Sequence, residues 1–148
     1  MLFRSESRGT IRLASADPLA APRITMGFLG TDGERRALRE SIRRVRDICQ
    51  APSMRAQVAR ELAPGPEVQS DEELDAYVRS TVDTIYHPLG ACRMGMDADA
   101  VVGADFRVRG TEGLRVVDAS VMPDLVGGNI NAAVIMIAEK AADVIRGK

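Results

Sequence analysis

The chain of 148 residues has one histidine, His87, set in TIYHPLGACRMG (84–95) among proline, glycine, cysteine and methionine. Imidazole is the side chain best suited to exchanging a proton near neutral pH. Pro88 and Gly90 would fix the backbone around it and leave space beside the ring. The residues alone leave a structural role open, which is the commoner one for a lone histidine in a loop. Cys92 follows five residues later, but its neighbours are Ala91 and Arg93, and no Asn or Asp stands ready to orient a Cys–His dyad. A second unusual stretch, GGNIN (127–131), comes directly before an apolar segment. Asn in this stretch makes a good helix N-cap. Equally, Gly127 and Gly128 would let a guest approach the helix start, where free N–H groups and the positive dipole end favour an anion. The chain has no second histidine for a metal, no G-x-S-x-G elbow, no Walker loop and no G-x-G-x-x-G.

The elements that must position these residues follow from hydrophobic period and punctuation. RGTIRLAS (8–15) alternates Ile11 and Leu13 with polar neighbours and reads as a strand, closed by a loop containing Pro18 and Pro22. From Asp32 the spacing of Leu38, Ile42, Val45 and Cys49 predicts a helix with arginines on a solvated face. Pro52 separates it from a shorter helix around Met54 to Leu62, and APGPE breaks the chain again. Ser70 with Glu73 forms a capping box that starts a third helix, turning Leu74, Tyr77 and Val78 inward and delivering the chain to His87. Beyond the loop, DFRVRG and GLRVVDAS read as short strands around a tight connection. The final segment, AAVIMIAEKAADVIRGK, is apolar nearly all round for two turns and ends at Gly147, which predicts a buried helix.

Bulk properties narrow the function classes. One ordinary domain fits this length. With 20 Lys and Arg against 21 Asp and Glu, and only five aromatic side chains, nothing attracts or stacks nucleic acid. Cys49 and Cys92 are too few and too isolated for a disulfide framework, so two free thiols in a reducing compartment are expected. The first ten residues lack the apolar run of a signal peptide, and the longest apolar run, 132–138, is far below the ~20 residues of a membrane span. These features predict a soluble cytoplasmic chain.

Taken jointly, the order and spacing of three segments resemble the glucose–methanol–choline (GMC) oxidoreductases, flavoproteins that oxidise alcohols. SRGTIRLASADP resembles the family's strand entering its substrate domain, and YHPLGACRMG its histidine loop. GLRVVDASVMPDLVGGNINAAVIMIAEKAADVI is similar to its closing signature. The likeness is to the family's C-terminal portion, closest to the choline-dehydrogenase-like branch, and extends from about Ser7 onward. It implies that His87 takes up the hydroxyl proton while hydride passes to flavin N5, and that Asn129 hydrogen-bonds the substrate oxygen. Asp118, Ala119 and Ser120 match the contact to the ribityl and phosphate region of FAD. Gly128 and Asn131 fall where a helix start faces the flavin pyrimidine ring.

The fold expected on this basis is α+β, an antiparallel sheet covered by helices plus a C-terminal strand and helix piece that completes an FAD-binding domain. Residues 1–93 would be the substrate-binding-domain-like region with the histidine loop at its end, and 94–148 the contribution to the FAD domain. The family's N-terminal nucleotide-binding unit has no counterpart in these residues, so the FAD site would be incomplete here. The implied partners are a small-molecule alcohol and a separate FAD-binding chain, with self-association through an apolar patch on the last helix. The alternative is a non-catalytic remnant of such an enzyme. Which alcohol and which electron acceptor are left open.

Overall fold

The computed structural model describes residues 5–148. Strand β1 (Thr10–Arg12) pairs antiparallel with β2 (Arg23–Thr25), with Ile11 opposite Ile24 and Thr10 opposite Thr25. The backbones cross so closely beside this pair that a Cβ on Gly27 would lie 2.3 Å from the Arg8 carbonyl oxygen. Gly27 also has φ of +68°, which glycine adopts without steric cost. The strand expected over 8–15 is therefore shorter, and β2 is not legible in a short segment that follows directly on Pro22. The sheet expected to extend to Cys92 is confined to these two strands, because after Gly27 the chain turns directly into a helix.

That helix, α1 (Asp32–Gln50), starts where Thr31 Oγ1 accepts the Glu34 N–H at 3.2 Å. Its row of Leu38, Ile42, Val45 and Cys49 has the spacing read from the sequence, but it lines the wall of a cleft instead of entering a core, and Val45 is exposed. Helix α2 (Pro52–Arg55) is a single turn, ending well before Leu62. Arg46 explains the early stop: it grips Glu61 with two nitrogens and donates to the carbonyls of Gly65 (3.0 Å) and Val68 (2.9 Å), so this stretch wraps α1.

Helix α3 (Asp71–Thr81) opens with the capping box expected at Ser70 and Glu73. Leu74 and Val78 are buried, while Tyr77 is only half-buried. Its acidic first turn meets α1 through charge. Arg39 bonds Asp75 at 2.6 Å and Asp71 at 3.2 Å, and Arg43 bonds Asp71 at 2.5 Å. The Asp71 carboxyl is held below its ordinary range by the Arg43 hydrogen bond, with the Arg39 charge adding to it against partial desolvation.

The apolar core lies in the second half of the chain, where Val102, Phe106, Val121 and Ala141 are buried among Met94, Val116, Ile137 and other half-buried residues. The strands expected at DFRVRG and GLRVVDAS reduce to isolated bridges, Val102 with Val108 and Arg107 with Arg115. Gly110 and Gly113, both at positive φ, turn the chain too soon for a ladder to lengthen. Helix α4 (Asn131–Arg146) ends as expected at Gly147, with the Lys148 N–H returning to the Asp143 carbonyl at 2.9 Å. It is not buried all round. Ala141 is covered, but Ile135 and Met136 are 55% and 64% exposed, because segments 94–121 pack on one face only. Among the described residues no helix is long and apolar enough to cross a membrane, and Cys49 and Cys92 are free thiols.

One buried carboxylate ties the start of the described chain to α1. Glu34 accepts from the Ser5 hydroxyl, the Ser7 hydroxyl and the Ser7 N–H (2.9 Å). Burial alone would raise its pKa, but these donors favour the charged form more strongly and hold it below 4.5. The depressed value means its contribution to stability is complete above the unfolded-state pKa and is lost as pH falls through the folded one. Glu34→Gln is therefore expected to lose about 1–3 kcal/mol at pH 7. The gap from wild type should narrow as pH falls below 4.5, measured by urea unfolding across that range.

Candidate active site

The histidine loop is built by backbone, not by secondary structure. Tyr86 and Gly90 both take positive φ, 62° and 83°, so the chain turns left-handed on each side of the His87–Leu89 segment. Downstream the loop is fastened across the molecule. The Cys92 N–H donates to the Ser120 carbonyl at 3.0 Å and the Met94 N–H to the Val121 carbonyl at 2.8 Å. Those acceptors sit on a single 3-10 turn, Ala119–Val121, started by Asp118, whose Oδ1 accepts the Ser120 N–H at 2.7 Å. Val121 belongs to the buried core, so the loop is anchored to the best-packed part of the chain.

The result is an open cleft of about 1880 Å³, walled by the hairpin, the apolar face of α1, the histidine loop and the Asp118 turn. His87, Asp118, Ala119, Ser120 and Gly128 all line it. The Nδ1 atom of His87 is buried and has no hydrogen-bond partner among the described residues. A buried polar nitrogen without a partner is uncommon in a finished protein interior and marks a position where a further group belongs.

The structure does not bring every expected residue to the wall. Asn129 and Asn131 are exposed and lie off it, although Gly128 and Ile130, on either side of Asn129, line it. No asparagine caps α4 either: the N-cap position is Ile130, with no side-chain cap hydrogen bond, so the first N–H groups of the helix stay open. A Cβ on Gly128 would meet nothing within 4 Å, so packing inside this chain does not demand glycine there. Thr84, also on the wall, is a residue that sequence reasoning missed. Its position three residues before His87 is the available signal.

The histidine loop, the Asp–Ala–Ser turn to which it is hydrogen-bonded and an uncapped helix start thus stand beside one cleft. The chain belongs to the GMC oxidoreductase family, whose C-terminal model matches residues 5–138. Among its relatives, oxygen-dependent choline dehydrogenase 1 of Chromohalobacter salexigens is 52% identical over 148 residues, covering 99% of this chain and 26% of the relative. Oxygen-dependent choline dehydrogenase of Escherichia coli is 48% identical over 146 residues, with the same coverages. The chain thus spans about a quarter of the length of the curated relatives it matches. Among solved structures, pyridoxine 4-oxidase from Mesorbium loti superposes with a TM-score of 0.88 at 36% identity, covering 99% of this chain and 28% of that one. A fungal aryl-alcohol oxidase gives 0.80 at 38%, covering 97% and 24%.

The Asp118 cap supports the acceptor side of the loop's anchorage. Asp118→Ala should loosen the 3-10 turn by the ~1 kcal/mol typical of a lost cap and speed hydrogen exchange at the Cys92 and Met94 amides several-fold. The helix α3 amides of Leu74 and Val78 serve as the internal reference and should be unchanged.

Proposed function

We propose that this chain supplies the alcohol-binding and proton-accepting part of an FAD-dependent oxidation of a CH–OH group. The observation that carries the reading is that His87, its Nδ1 without a hydrogen-bond partner among the described residues, lines the same cleft as Asp118–Ser120 and Gly128. FAD dependence of a similar solved structure supports it: an FAD-dependent oxidoreductase from Chaetomium thermophilum superposes with a TM-score of 0.85 at 35% identity, covering 98% of this chain and 25% of that one. On this reading residues 1–93 belong to the substrate-binding region and 94–148, which hold the apolar core, complete the FAD-binding domain.

The residues present fit FAD. The open N–H groups at the start of α4 offer partial positive charge without a competing side-chain cap, and the space above Gly128 is free for a planar guest. Asp118, Ala119 and Ser120 would meet the ribityl and phosphate region, and Gly128 with Asn131 the pyrimidine side. FAD, when bound, supplies the acceptor for the hydride leaving the alcohol carbon. His87 takes the hydroxyl proton on a ring nitrogen, so the alcohol loses one proton and one hydride and a C=O bond forms. Asn129, one residue from the wall on either side, would donate its amide hydrogen bond to the substrate oxygen. The uncapped α4 start favours the negative charge that accumulates nearby, by the same logic as an oxyanion hole. The remaining contacts to FAD would come from residues outside these 148.

In the flavin-loaded enzyme that contains this chain, His87→Ala should lower alcohol turnover by about 10² to 10⁴ with FAD content intact, since that is the usual contribution of a positioned base. Turnover at the wild-type rate would assign the histidine to structure. The 148-residue chain by itself should retain little FAD through purification, read from absorbance near the flavin bands. Stoichiometric, tightly held FAD would show that the contacts assigned to other residues are not needed.

A further inference from the structure

His87 is fastened on one side only by the core. Downstream, Cys92 and Met94 are bonded to the Asp118 turn. Upstream, α3 ends at Thr81 and just five residues, 82–86, lead to the imidazole. Among the described residues one hydrogen bond holds the chain between Ile85 and His87: the Tyr86 N–H donates to Thr84 Oγ1 at 3.0 Å. Thr84 is itself set by its own N–H, which donates to Asp83 Oδ1 at 2.7 Å.

The bond sits where the backbone most needs it. Tyr86 has φ of 62°, a region that side chains other than glycine enter at a cost and that surrounding structure must enforce. Tyr86 is 82% exposed, so its side chain does not hold it in place. Its conformation therefore depends on the amide, and the amide on the Thr84 hydroxyl. Thr84 and His87 line the cleft together, so the turn that the hydroxyl closes sets the direction from which the imidazole enters.

We propose that Thr84 is a positioning residue for His87: its Oγ1 locks the left-handed turn at Tyr86 and thereby fixes the imidazole in the cleft. The inference rests on the reading of His87 as proton acceptor. It differs from a contribution to general stability because it needs only the acceptor oxygen at residue 84 and a tolerated positive φ at residue 86.

The test uses the flavin-loaded enzyme and the 148-residue chain. Thr84→Val keeps the shape and removes the acceptor, and should lower kcat by about ten- to a hundredfold through misplacement of the base. KM and FAD content should change little. Thr84→Ser should restore most of the rate. Adding Tyr86→Gly to Thr84→Val should also restore it, because glycine takes the turn without an enforcing bond. Since His87 is the only histidine, its Cε1–H ring proton gives a single assignable NMR signal in the chain. That signal should be narrow in wild type and Thr84→Ser, and broadened or doubled in Thr84→Val. Wild-type kcat with an unchanged ring signal in Thr84→Val overturns the proposal. So does a loss of rate that follows FAD content and is rescued neither by Thr84→Ser nor by the added Tyr86→Gly. If His87→Ala keeps full turnover, the proton-acceptor reading fails by itself, and the ring signal still decides whether Thr84 orders the imidazole.

Discussion

Two backbone hydrogen bonds, from the amides of Cys92 and Met94 to the carbonyls of Ser120 and Val121, join the histidine loop to the apolar core. They span nearly thirty residues of sequence and land on a turn whose last residue is fully packed. An anchorage of this kind costs chain entropy to form, and the burial of Val121 with Val102, Phe106 and Ala141 is what offsets it. Everything that faces the cleft from the second half, the Asp118 turn and the start of α4 included, inherits its position from that core. The histidine loop has no regular structure and borrows its rigidity through these two bonds.

The first half of the chain is organised on a different principle. Helices α1 and α3 meet through Arg39, Arg43, Asp71 and Asp75, with Leu74 and Val78 as the only buried apolar residues of α3. Exposed ion pairs are worth little singly, but Arg39 is 15% exposed and bridges two carboxylates, which makes this pairing stiffer than a surface contact. Charge at that seam leaves the apolar row of α1 free to face the cleft. A wall of the cleft that is largely aliphatic follows from how the two helices are joined.

Sequence reasoning reads local chemistry well and tertiary cover poorly. The capping box at Ser70 and Glu73 and the glycine stop at Gly147 are legible because each is complete within a few residues. The histidine loop and the closing segment are legible through likeness to a family, and His87, Asp118, Ala119, Ser120 and Gly128 line one cleft. Burial is not legible. The spacing along α1 and the apolar run of α4 both state which residues prefer cover, but not whether a neighbour provides it, and Val45, Ile135 and Met136 stay exposed. Strand β2 escapes notice because the four residues between Pro22 and Gly27 give no alternation to read, and its pairing depends on Gly9 and Gly27 admitting a close backbone crossing. Asn129 suits a cap by residue type, yet the helix begins one residue later than a cap at 129 would require.

The seam between the histidine loop and the Asp118 turn uses amides and carbonyls, so its demands on sequence are unusual. The side chains of Cys92 and Met94 take no part in those two bonds, and the thiol of Cys92 in particular is free to drift in evolution as far as the seam is concerned. What the seam forbids is proline at either position, which would delete a donor. A lineage could thus rewrite much of the loop's chemistry, and with it what the cleft admits, without disturbing the joint that holds the imidazole. The position of the imidazole and the character of the cleft become separately adjustable traits.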